Sequence, residues 1–177
     1  MSAEPTGWRE AVRKIASRIG LDGYPTGSLA ALRRLRPEAP DGAAFWWLVA
    51  EYEPRAFEDG CAAKALAAVI QCMAIAHPFH RPLSGQRHLG EALAEADVSE
   101  ARLLRLLRLP RSELPEELRR LARLMAAKGD AGRFDWSDAF DLLFWAEGEA
   151  GERLRRDVAR DYYRRQYNLQ KLEESAA

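Results

Sequence analysis

Apolar side chains recur every three or four residues along most of this chain, the spacing that lines one face of an α-helix. Trp8, Val12, Ile15, Ala16 and Ile19 do so first and predict a helix over 8–19, ended by Gly20. Ser28 then caps a short helix over 29–36, stopped by Pro37. Phe45, Trp46, Trp47, Leu48 and Val49 fall in an aromatic-rich third helix over 43–52. The most apolar run, 59–76, predicts a core helix closed by Pro78, and 79–88 reads as a polar loop with Pro82 and Gly85. Further helices are predicted over 89–96, 99–109 and 116–128, and from Asp135 or Ser137 to Trp145. Gly148 and Gly151 mark a turn before a long last helix over 152–172. The fold expected is all-α: two small helical bundles, 1–97 and 98–177, with about eight to nine helices between them.

Composition agrees. Ala supplies 31 of the 177 residues and Leu 23, whereas Val, Ile and Thr together supply 11. Helices favour the first pair and sheets the second group, so an all-β or α/β fold is nearly excluded. The uncharged stretch 65–80 loses its apolar character after Ala76 and contains Gln71. It falls short of the roughly 20 residues that span a bilayer. The N-terminus lacks the apolar run of a secretory signal. Cys61 and Cys72 sit on one predicted helix, about 16 Å apart along its axis, too far to pair. No membrane attachment and a cytoplasmic setting are expected.

The 27 basic and 27 acidic residues cancel, which argues against a uniformly basic partner for DNA. The charges are segregated, however. The segment 102–133 has nine basic and four acidic residues, 8–36 seven and two, and 153–165 six and two. Between 38 and 59 the balance reverses, to one basic and six acidic. Basic and acidic faces on a neutral protein follow, and a basic face can track a phosphate backbone. Arg outnumbers Lys 23 to 4. A GC-rich genome accounts for that ratio, although the guanidinium fork also suits phosphate.

No Walker loop, nucleophile elbow or zinc-type Cys/His grouping is present. His77 and His80 are separated by a helix-breaking Pro78 and have no adjacent third ligand, so no metal and no cofactor is expected. Asp135, Asp138 and Asp141 lie near a helix start, where carboxylates complement the helix dipole. An enzyme is not the expected reading. The arginines are more telling. Arg102, Arg105 and Arg108 fall within about 120° of helical arc, opposite Leu103, Leu106 and Leu107. Arg119, Arg120 and Arg123 cluster likewise opposite Leu118, Leu121 and Met125. Arg153, Arg156, Arg160 and Arg164 form a stripe on the last helix, partly neutralised by Asp157 and Asp161. Any one of these is also what an ordinary solvated helix face looks like. Trp46, Trp47, Trp136 and Trp145 lie inside apolar runs and are expected in the core rather than stacked on bases.

Several short motifs, taken in order, resemble one family. They are 29–34 (Leu-Ala-Ala-Leu-Arg-Arg), 44–49 (Ala-Phe-Trp-Trp-Leu-Val), 89–93 (Leu-Gly-Glu-Ala-Leu), 100–108, 118–121 (Leu-Arg-Arg-Leu), and Asp135-Trp136 with 142–145 (Leu-Leu-Phe-Trp). Over about 28–167 the chain resembles the CasB family, the small subunit of the type I-E CRISPR surveillance complex, Cascade. The resemblance implies an all-helical, non-catalytic subunit, present as two copies beside the backbone and large subunits. It implies contact with guide RNA and with target and non-target DNA, stabilising the R-loop while base pairing reads the sequence. It places basic contacts at Arg33 or Arg34, Arg87, Arg102, Arg108, Arg119 or Arg120, and Arg153; helical geometry adds Arg105, Arg123 and Arg156. The competing expectation is a helical adaptor that binds only proteins, through the acidic 38–59 region.

Overall fold

The structure is a computed structural model and describes residues 5–80 and 87–176. The expected polar loop therefore lies largely outside the described residues, with Pro82 and Gly85. Among the described residues there are nine α-helices, two 3₁₀ turns and no strand. The helices are α1 (Pro5–Ile19), α2 (Thr26–Arg33), α3 (Ala43–Tyr52), α4 (Gly60–Ala76) and α5 (Leu89–Glu95). They continue as α6 (Glu100–Arg108), α7 (Leu114–Ala127), α8 (Ser137–Phe144) and α9 (Gly148–Ala176). The 3₁₀ turns are Pro54–Phe57, after α3, and Gly129–Gly132, after α7.

α4 is central. Asp59 caps it, its carboxylate accepting from the amides of Cys61 and Ala62 at 3.0 Å each. Its residues are buried on nearly every side, and many are alanines, so α1, α2, α7 and α8 all pack against it. Cys61 is exposed at its start and Cys72 buried further along; both are free thiols. Burial pushes the Cys72 thiol up to about 12. Buried apolar side chains from both sides of Asp97 form one continuous cluster. α5 crosses α9 so closely at Gly90 that a Cβ there would lie 2.2 Å from the Val158 carbonyl oxygen.

Several boundaries differ from expectation: α1 starts at Pro5 rather than 8, α7 at Leu114 rather than 116, and α9 runs to Ala176 rather than 172. α2 starts at Thr26 and ends at Arg33 rather than running 29–36, because the Pro25 carbonyl already accepts from the Leu29 amide. α9 starts at Gly148, so the glycine pair is not a turn between helices. Gly148 adopts a positive φ of 71°. Gly151 lies inside α9, where only a glycine fits: a Cβ would come within 2.4 Å of the Trp145 carbonyl oxygen.

The three aspartates do more than complement a helix dipole. They hold α1 onto the start of α8. Arg9 donates to Asp138 at 2.7 Å and also pairs with Asp141, and Arg13 pairs with Asp135 at 2.7 Å. Asp135 also accepts from the Ser137 amide and hydroxyl at 3.0 and 2.7 Å. Burial opposes its charge, but the bonds from Arg13 and Ser137 prevail and hold its carboxyl below the usual range. At Asp141 burial wins against Arg9, and the carboxyl is raised. Trp8 stacks on Phe140 beside this cluster, ring centroids 5.7 Å apart. His77 and His80 stack on each other, and buried His80 places Nε2 2.9 Å from the Ala16 carbonyl oxygen.

Candidate nucleic-acid interface

The arginines fall into three groups by what their guanidiniums touch. Some are structural. Arg87 donates to the carbonyls of Asp130 and Ala131 at 3.0 and 2.9 Å and pairs with Glu95 at 2.9 Å. It is mostly buried and ties the start of α5 to the second 3₁₀ turn. Arg155 likewise donates to the carbonyls of Ala146 and Leu109, and Arg111 to that of Phe144. Arg33 is exposed but donates through Nε to the Ala74 carbonyl at 2.9 Å, fastening α2 to α4. Arg34, also exposed, donates to the Ala30 carbonyl of its own helix at 3.2 Å.

A second group pairs with carboxylates at the surface. The buried carboxylate of Glu117 is shared by Arg105 of α6 and Arg120 of α7, each at 3.4 Å. Arg119 pairs with Glu116, which also lies 3.4 Å from Arg120. Arg160 is held by Asp157 and Asp161 at 2.7 and 3.0 Å.

Arg102, Arg108, Arg123, Arg153 and Arg156 form the third group. All five are exposed and have no anionic partner among the described residues. Arg102 and Arg108 flank Arg105 one helical turn to either side, and Arg123 lies one turn beyond Arg120. The shared Glu117 therefore joins the α6 and α7 arginine ridges into one surface. α9 packs against α6 and contributes Arg153 and Arg156. It also carries Arg164, exposed and without an anionic partner among the described residues. Sequence reasoning placed Arg164 in the α9 stripe but not among the contacts; its freedom from Asp157 and Asp161 is visible only once Arg160 is seen to occupy both.

Arg33 and Arg34 belong to α2, on the other side of a cleft of about 780 Å³ that opens between the end of α2 and the start of α7. Arg36, Lys64, Arg111 and Arg119 line it, with Glu38, Glu116 and Glu147 among them. The tryptophans divide. Trp136 is buried and donates to the His80 carbonyl at 2.7 Å, while Trp46 and Trp145 are half-buried. Trp47 is 76% exposed, against the expectation that it packs in the core. α3 buries Phe45, Leu48 and Val49, and position 47 falls on the opposite arc.

The family model for CRISPR-associated protein Cse2 matches residues 28–163. The chain belongs to the Cse2 family. That is the small-subunit family the sequence motifs resemble, and α1 is the part of this Cse2-family chain that precedes the match. In fold the chain is similar to one from the crystal structure of E. coli Cascade bound to a PAM-containing dsDNA target. The TM-score is 0.65 at 24% identity, over 95% of this chain and 99% of that one. No curated protein matches. No helix among the described residues is long and apolar enough to cross a membrane.

Proposed function

We propose that this protein is a non-catalytic small subunit of a cytoplasmic type I-E Cascade complex. Its α6–α7–α9 surface holds nucleic-acid phosphates, stabilising the guide RNA–target DNA hybrid and the displaced strand. Family membership and the likeness to a chain of a DNA-bound Cascade support the assembly. The observation that carries the phosphate contact is the group of Arg102, Arg108, Arg123, Arg153 and Arg156, five exposed arginines on helices that pack together, none with an anionic partner among the described residues. Arg105, Arg119 and Arg120 join them, since each guanidinium has further N–H donors to offer a phosphate beside the carboxylate it already meets. Arg33 and Arg34 form a separate, smaller site across the cleft. Arg87 acts through the fold. Backbone and large subunits and a second copy of this chain are the protein partners, and they hold a weakly binding face against the strand at high effective concentration.

Titration of labelled single-stranded and duplex DNA at several salt concentrations tests this. Affinity falls steeply with salt, and each phosphate contact removed lowers the logarithmic slope by about 0.7 on single strands and 0.9 on duplex. Arg102→Ala with Arg123→Ala weakens binding on all sequences alike and leaves the helical circular dichroism unchanged. Binding that is absent at low salt, or flat with salt, sinks the phosphate reading and favours the protein-only adaptor.

A further inference from the structure

Nearly opposite in chemistry to the arginine surface is the region of α3 and the 3₁₀ turn that follows it. Trp47 is 76% exposed and Phe57 55%. Phe57 stacks on Trp46, the residue beside Trp47, with ring centroids 5.0 Å apart and planes 18° from parallel. Each exposed ring has a carboxylate next to it. Glu51 lies one turn from Trp47 on the same face of α3, and Glu58 follows Phe57 in the chain. Both carboxylates are exposed, and neither has a cationic partner among the described residues. The neighbouring charges are accounted for. Asp41 is taken by Arg36 at 2.7 Å, and Asp59 caps α4. Arg55, the one cation between 38 and 59, is exposed but engaged: it pairs with buried Glu53 at 2.5 Å and lies 4.6 Å from the Trp8 ring. Large exposed rings are stable in water only at a cost, and apolar patches mark interaction sites; the Tyr52 hydroxyl donates to Glu51, which still carries its full charge at the surface.

We infer that Trp47, Phe57, Glu51 and Glu58 form a docking surface for a basic segment of another polypeptide. Lys or Arg stems of that segment would lie along the rings, with their charges over the indole face and against the carboxylates. The charge decides the class of occupant. Phosphate is repelled from this face, so nucleic acid is excluded, and an acidic protein surface is excluded for the same reason. The site is separate from the arginine surface and stands or falls without it.

A fluorescently labelled amphipathic peptide of Lys and Leu serves as the probe, with its Glu-for-Lys counterpart as control, and anisotropy reads binding to the full chain. The basic peptide binds and the acidic one does not. Trp47→Ala with Phe57→Ala weakens binding by about tenfold or more. Glu51→Lys with Glu58→Lys abolishes it. Glu173→Lys with Glu174→Lys, on exposed carboxylates near the end of α9, makes the same change in net charge and leaves binding as it was. All four patch residues are exposed, so thermal melts remain close to wild type. Equal binding of both peptides, equal loss in the α9 control, or patch variants that bind like wild type would each overturn the proposal. Self-association of the chain alone, abolished by the patch variants, would give the surface to a second copy and overturn it too. DNA titration of Trp47→Ala with Phe57→Ala, which leaves the charge as it was, separates the two readings: affinity for DNA stays unchanged where the peptide is lost.

Discussion

Arg87 and Arg102 carry the same charge fifteen residues apart in the chain, yet they do different work. Arg87 serves two carbonyls and the Glu95 carboxylate; without it Glu95 keeps only Arg165 and the Ala131 carbonyl loses its side-chain donor. Arg87→Ala is expected to cost about 2 kcal/mol of stability, seen in the urea midpoint. Arg102 touches no anion among the described residues, and Arg102→Ala changes stability by less than about 0.5 kcal/mol while weakening DNA binding. Sequence alone gives both residues the same prior, because a guanidinium's partners come from distant segments. The same holds for His88, whose Nδ1 lies 3.0 Å from Asp138. Burial opposes its charge, but the Asp138 carboxylate prevails and raises its pKa above 6.5. The pairing therefore stabilises the fold fully below the unfolded-state value and fades as pH rises through the higher folded one. The melting-point difference between wild type and His88→Asn should be largest near about pH 6 and shrink toward about pH 8. A difference that grows over that range would contradict the pairing.

Between elements, contact distance is set by the smallest side chains. At Gly90 a Cβ would meet the Val158 carbonyl at 2.2 Å and the Tyr162 amide nitrogen at 2.9 Å, so backbone rather than flexible side chain is in the way. Gly90→Ala must push α5 away from α9 and is expected to cost about 1–3 kcal/mol, measured by thermal melting. It should also leave DNA affinity per folded molecule unchanged. The helices themselves were legible in the chain, since apolar spacing marks them and Pro37, Pro78 and Pro110 punctuate them. Glycine was less legible. Gly148 and Gly151 look alike in sequence, but one supplies a positive φ and the other a close approach, and only the three-dimensional neighbours of Gly151 distinguish these. Trp47 was misread for a related reason. A helix with apolar residues at five consecutive positions has no polar arc to show which of them faces outward.

Across the whole molecule, neutrality conceals an asymmetry: among the described residues, arginines without an anionic partner lie on α6, α7 and α9, and carboxylates without a cationic partner lie around the rings of α3. That arrangement holds only if the two ends of the chain form one rigid body. Helices on either side of Asp97 share a core, with α4 against α7 and α8, α5 against α9, and α1 against α8. The α1–α8 contact is the most exposed to electrostatic failure, because Arg9 serves Asp138 and Asp141 at once. Arg9→Ala leaves both carboxylates under-paired, and breaking such a buried pair costs about 3 kcal/mol or more. Partial exposure of Arg9 and the readiness of Asp141 to take a proton put the expected loss at the lower end. The loss should affect the whole chain. Urea unfolding followed by tryptophan fluorescence and by far-UV circular dichroism should give superimposable curves in wild type, and both should shift together in Arg9→Ala. Two separated transitions, or curves that do not superimpose, would instead mean that 1–97 and 98–177 fold as independent bundles. In that case the basic and aromatic faces would be joined only by the chain between them.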